Sequence, residues 1–161
     1  MDLQREFQGS DDTPVTAQQT DGDIRAASAE GLLQWLRDLD DCPPIMRAFR
    51  ALCPNDVHAD DPATWFYVEA DAAAGVARLR CLACGTVKPI LDSEEHWTFP
   101  AVWSCRDCRQ SITEVGFGVH AEDGLATWMV VAVRCVECGR ISGLTDLVVP
   151  NHPLDEFIAT L

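Results

Sequence analysis

Three short stretches of the chain repeat one device. "LRCLACGTVK" spans residues 79–88, "WSCRDCRQS" residues 103–111 and "VRCVECGRIS" residues 133–142, and in each a β-type run is broken by two cysteines with two residues between them. On a tight turn between strands this spacing aims both sulfurs at one point, and N–H groups of the turn can hydrogen-bond them. A glycine follows the second cysteine in the first and third stretches (Gly85, Gly139), where a positive φ would close the turn; Arg109 stands there in the second. The opening "MDLQREFQGSDDTPVTAQQTDGD" has neither the basic start nor the apolar run of a signal peptide, so a cytoplasmic protein is expected. In a reducing compartment such pairs bind metal more often than they form disulfides. Zinc, held in a tetrahedron of four donors with Zn–S near ~2.3 Å, is the expected cofactor, and the candidate ligands are Cys81, Cys84, Cys105, Cys108, Cys135 and Cys138.

Six thiols exceed one tetrahedral site. Twenty residues separate Cys84 from Cys105 and 26 separate Cys108 from Cys135. The shorter gap matches the spacing of two-pair zinc sites. On "CLACG", "CRDC" and "CVECG", residues 76–149 resemble the broad zinc-ribbon class, found in transcription factors, ribosomal proteins and enzyme accessory domains; the third pair departs from a two-pair ribbon. Sequential hairpins would put all three turns at one end of a sheet. The first expectation therefore joins Cys81 and Cys84 to Cys105 and Cys108. The alternative joins Cys81 and Cys84 to Cys135 and Cys138, the two turns that share a glycine. The remaining pair would recruit His96, His120 or His152, or stay a dithiol open to redox switching. Cys42 and Cys53 flank a predicted helix and would lie about 16 Å apart at 1.5 Å per residue, which makes them small apolar residues rather than partners.

The expected fold is α+β. Residues 1–25 are rich in Asp, Gln, Thr and Ser without periodicity and are expected to form a disordered acidic tail; residues 26–161 form a single zinc-binding domain. Ser28 caps a helix on which Leu32, Leu36 and Leu39 share a face. "DDCPP" ends it, and Ile45, Met46, Phe49 and Leu52 predict a second helix, giving a helical hairpin over residues 28–53. Residues 63–150 form the ribbon-like region, a small antiparallel β-sheet. In it "TWFYVEA" and "GVARLRC" pair across "DAAAG", Pro89 and Pro100 mark an edge or bulge, and "LATWMVVAV" is a buried central strand. Gly116 and Gly118 share a face that something bulky approaches. "PLDEFIATL" predicts a short C-terminal helix over residues 153–160.

Charge narrows the function. The net charge is −14, with 15 acidic against 5 basic residues in positions 1–74, and 9 against 7 in positions 75–150. Such a field disfavours nucleic acid. Arg78, Arg80, Lys88, Arg106, Arg109, Arg134 and Arg140 nevertheless all lie within four positions of a paired cysteine, so nucleic-acid binding stays possible through them, although balancing thiolate charge is the simpler role. No apolar run is long enough to span a bilayer, so no membrane is expected. His120 and Glu122 in "HAE", upstream of "CVEC", are the residue types of a zinc nucleobase deaminase, but the surroundings read as strands. "VWSCRDC" lacks the following helix that a thioredoxin-type thiol needs. The sequence therefore points to a non-catalytic zinc protein acting as an interaction module. A protein partner is expected first; a nucleic-acid-binding regulator and a thiol switch are the alternatives.

Overall fold

The computed structural model describes residues 24–71, 76–90 and 101–161. Most of the acidic tail, the "AAAG" turn, His96 and Pro100 lie outside these residues. Among the described residues a mostly antiparallel β-sheet carries two short helices, compatible with the α+β class; none of these helices is long and apolar enough to cross a membrane. In chain order the elements are α1 (Ala29–Arg37), β1 (Arg47–Arg50), a 3₁₀ turn (Asp56–His58), β2 (Phe66–Asp71), β3 (Val76–Cys81), β4 (Val87–Pro89), β5 (Ala101–Val102), β6 (Thr113–Glu122), β7 (Leu125–Cys135), β8 (Ile141–Pro153) and α2 (Leu154–Ala159). The strands run β4-β3-β2-β6-β7-β8; β5 pairs with β2, and β1 pairs with β6. β2 meets β6 only at Phe66↔Thr113, and β1 takes over that edge from Arg50↔Gly116 to Arg47↔Val119.

Both faces of the sheet are covered. On one, Leu32, Leu33 and Leu36 of α1 pack on Val130, Ala132 and Ile141. Gly116 opens this seat: a Cβ there would come within 2.9 Å of Leu36 Cδ1 and 3.1 Å of Leu32 Cδ2, so the bulk approaching it is leucine. On the other face Val68 and Leu79 share a cluster with Phe117, Met129, Val131, Val149 and Phe157. Because β3 and β8 lie near opposite ends of the strand order yet feed one core, the sheet curls over this face. Lys88 of β4 hydrogen-bonds the Leu161 carbonyl beyond α2, which fastens the curl. β7 is buried from Met129 to Cys135, as its unbroken apolar run predicts, and Pro89 lies on the edge strand β4.

The helical hairpin is not formed. Residues 47–50 are a strand, and Met46 and Leu52, two members of the expected helical stripe, are 58% and 45% exposed. Tertiary pairing overrides local propensity here. β2 leaves most of one β6 edge open, and the backbone groups of that edge need partners. Period two fits the same residues: Phe49, Ala51 and Cys53 pack into the core shared with Phe117, whereas Ala48 faces α1. The Phe49 and Phe117 rings lie 5.5 Å apart. The tail boundary also moves. Ile24 accepts a hydrogen bond from the Ile141 N–H at 2.8 Å, Ala26 donates to the Gly139 carbonyl at 2.9 Å, and Arg25 bridges to Arg140.

Candidate metal centres

The three cysteine turns have one backbone design. The first cysteine's N–H donates to the carbonyl five residues on (Cys81 to Thr86, Cys105 to Gln110, Cys135 to Arg140) at 2.7–2.9 Å. Its carbonyl accepts from the residue four on (Gly85, Arg109, Gly139) at 2.8–2.9 Å. That last residue has φ of 77°, 66° and 78° in turn, so Arg109 adopts the conformation glycine supplies in the other two.

Register fixes where the turns lie. Cys81 pairs with Phe66, Phe66 with Thr113, and Thr113 with Cys135, so the first and third turns stand at the same end of the sheet. Three strand spacings of ~4.8 Å, about 14 Å in all, separate Cys81 from Cys135 along this row. The turn at Cys105–Cys108 leads into β6 and meets the end of the adjacent strand β7. Cys105 Sγ lies 3.6 Å from Cys138 Sγ, and Cys108 Sγ lies 3.5 Å from Cys135 Sγ. A tetrahedron with ~2.3 Å metal–sulfur bonds has edges of about 3.8 Å, whereas a disulfide needs about 2.05 Å. The four thiols are free and could hold a metal ion. An ion-pair network closes the outside: Asp107 accepts from Arg25 at 2.7 Å and Arg140 at 2.9 Å, and Arg25 also donates to the Cys138 carbonyl.

Cys81 and Cys84 meet neither of the pairs expected for them. Their neighbours are Cys53 and His58: Cys53 Sγ is 3.6 Å from Cys84 Sγ, and His58 Nε2 is 3.8 Å from Cys81 Sγ. In each cluster the four donor atoms lie within 4.8 Å of one another. Cys53 arrives because β1 is a strand; the helix that argued against it is absent. Asn55 then turns the chain. Its side chain accepts from the Val57 N–H at 3.0 Å and caps the 3₁₀ turn that carries His58. Asn55 Nδ2 also donates to Thr86 Oγ1, which lies 3.1 Å from Cys84 Sγ and so ties the loop to the metal turn. Two signals could have found this half-site: the alternation Phe49-Ala51-Cys53 into a buried face, and the Cys-x₄-His spacing that follows. Neither His120 nor His152 joins a cluster. His120 Nδ1 lies 2.7 Å from the Pro44 carbonyl and its Nε2 3.3 Å from Glu122 Oε1, and His152 lies beside the Phe157 ring.

Electrostatics prepare both clusters for a cation. Burial pushes the Cys53 thiol up to about 11, Cys135 up to about 12, and Cys105 upward as well. Cys84, exposed, moves down to about 6, chiefly through hydrogen bonds from the Thr86 side chain and backbone. Burial opposes the Cys138 thiolate, but the Arg140 backbone N–H and the neighbouring thiols bring it down to about 7. Cys84 and Cys138 thus ionise near neutrality, while burial keeps Cys53 in the one cluster and Cys105 and Cys135 in the other neutral until a cation offsets their charge.

No family model, curated protein or solved structure matches the chain. Most of the basic residues near the cysteine turns have internal partners. Arg78 and Arg80 both bind Glu69, at 2.8 and 2.6 Å. Arg134 binds Glu114 at 3.3 Å and the Ala26 carbonyl at 2.7 Å.

Proposed function

We propose that this chain is a non-catalytic zinc protein that uses two zinc sites to brace an interaction module for a protein partner. One site is Cys105, Cys108, Cys135 and Cys138; the other is Cys53, His58, Cys81 and Cys84. The observation that carries the reading is the pair of complete four-donor clusters. Thiolate and imidazole donors gathered in fours, all within 4.8 Å of one another, suit zinc. Four protein ligands leave no position for a substrate, which favours a structural role over a catalytic one. A binding rather than enzymatic function follows, and the charge of −14, with most basic residues near the turns already paired, favours protein over nucleic acid. When bound, zinc would supply folding energy by fixing segments far apart in sequence.

Elemental analysis of protein purified without added metal tests the reading. Two zinc equivalents per chain are expected. Metal-free protein that still unfolds cooperatively, or iron in place of zinc, would overturn it.

A further inference from the structure

Beside the Cys53–His58–Cys81–Cys84 cluster the surface is concave. A cavity of about 500 Å³ is lined by His58, Asp61, Pro62, Trp65, Leu82 and neighbouring small residues. Trp65 is 45% and Leu82 36% exposed, and Val57 on the same loop is 72% exposed. The aromatic wall is fixed to the metal turn, because the Leu82 N–H donates to the Trp65 carbonyl at 3.0 Å. Asp56, Asp60 and Asp61 are exposed along this loop, and the chain has no Lys or Arg between Arg50 and Arg78. Among the described residues no basic side chain pairs with these three carboxylates. A zinc ion held by three thiolates and a neutral imidazole would leave one further net negative charge at the cavity wall.

We infer that this cavity docks a basic peptide segment of a partner protein, with an arginine or lysine over Trp65, its charged end at Asp61 and its methylene stem along Leu82 and Pro62. An indole face attracts a cation and accepts an apolar stem, which suits a side chain that has both. The unpaired carboxylates select the positive partner and repel a polyanion, so nucleic acid is excluded from this surface. The inference rests on the interaction-module reading above and gives that module a partner chemistry. It also explains why large apolar side chains stand exposed beside a loop with no cation of its own.

The test uses the full chain with its zinc content measured. The probes are a nine-residue Ala/Leu peptide with three arginines and the same peptide with glutamines in their place, both capped at the ends. Fluorescence anisotropy gives affinity, and backbone amide shifts locate the site. The arginine peptide should bind at least about tenfold more tightly, as expected for a cation–π contact supported by exposed carboxylates. Its shifts should fall on residues 56–65 and 82–86. Asp60→Asn with Asp61→Asn, or Trp65→Ala, should weaken it about tenfold at unchanged zinc content, and Trp65→Phe should keep most of the binding. Equal affinity for the two peptides, shifts elsewhere, no binding at millimolar peptide, or single-stranded RNA occupying these residues would overturn the proposal. Failure to bind in a protein with two zinc equivalents sinks the docking site alone. Selective binding in a protein without zinc sustains the docking site and sinks the zinc reading.

Discussion

Arg109 sits at φ 66°, in the left-handed region where a side chain costs about 1–2 kcal/mol. Arg109→Gly should therefore stabilise the protein by about 0.5–1 kcal/mol, the glycine recovering the strain but adding entropy to the unfolded chain. Its two counterparts separate strain from packing. A Cβ on Gly85 meets nothing within 4 Å, whereas one on Gly139 would lie 2.6 Å from the Ala26 carbonyl oxygen. Gly139→Ala should thus cost clearly more than the ~1–2 kcal/mol of Gly85→Ala, because it also dislodges the segment 24–26 that hydrogen-bonds beside it. Urea denaturation of the three variants checks the order. At this scale the paired cysteines are legible in the sequence because each pair is local, set by a six-residue turn. Cys53 and His58 are not, because the other two members of their cluster, Cys81 and Cys84, are 23 or more residues away and the intervening geometry depends on β1.

β1 shows how an element is misread. The stripe Ile45, Met46, Phe49 and Leu52 fits a helix, and Phe49, Ala51 and Cys53 fit a strand equally well; only the open β6 edge decides, and that edge is made by residues some 70 positions later. α1, β7 and α2 were readable because their signals are internal: a leucine face, an unbroken apolar run, a short amphipathic end. Gly116 and Gly118 announced a close approach without naming what approaches. Gly116→Val should force Leu32 and Leu36 off the sheet and destabilise by about 1–3 kcal/mol or more, since overpacking a filled core displaces well-seated side chains. Thermal or urea unfolding reads this directly. A neutral outcome would mean that α1 is not seated on this face.

For the molecule as a whole, the two clusters occupy unlike places. Cys105 and Cys135 are fully buried, and the Arg25–Asp107–Arg140 network closes over that cluster. The other lies by the edge strand β4, with Cys84 exposed and His58 on a loop that carries no strand. A chelator should therefore remove one equivalent of zinc quickly and the second much more slowly, and alkylation during the fast phase should label Cys84 before Cys105. A single-rate release would contradict the asymmetry. The sequence makes the sheet end and its six thiols legible, but not the partition into ligand sets, which depends on strand order: β2 stands between the first turn and the other two. That partition is the central claim, and the cadmium-113 NMR spectrum of cadmium-substituted protein tests it most directly, since the shift reports the donor set of each bound ion. Two resonances of equal intensity are predicted, one in the four-sulfur range and one displaced from it by a nitrogen donor, with Cys53→Ser altering only the second. A single resonance, two four-sulfur resonances, or loss of the four-sulfur signal on Cys53→Ser would contradict the account.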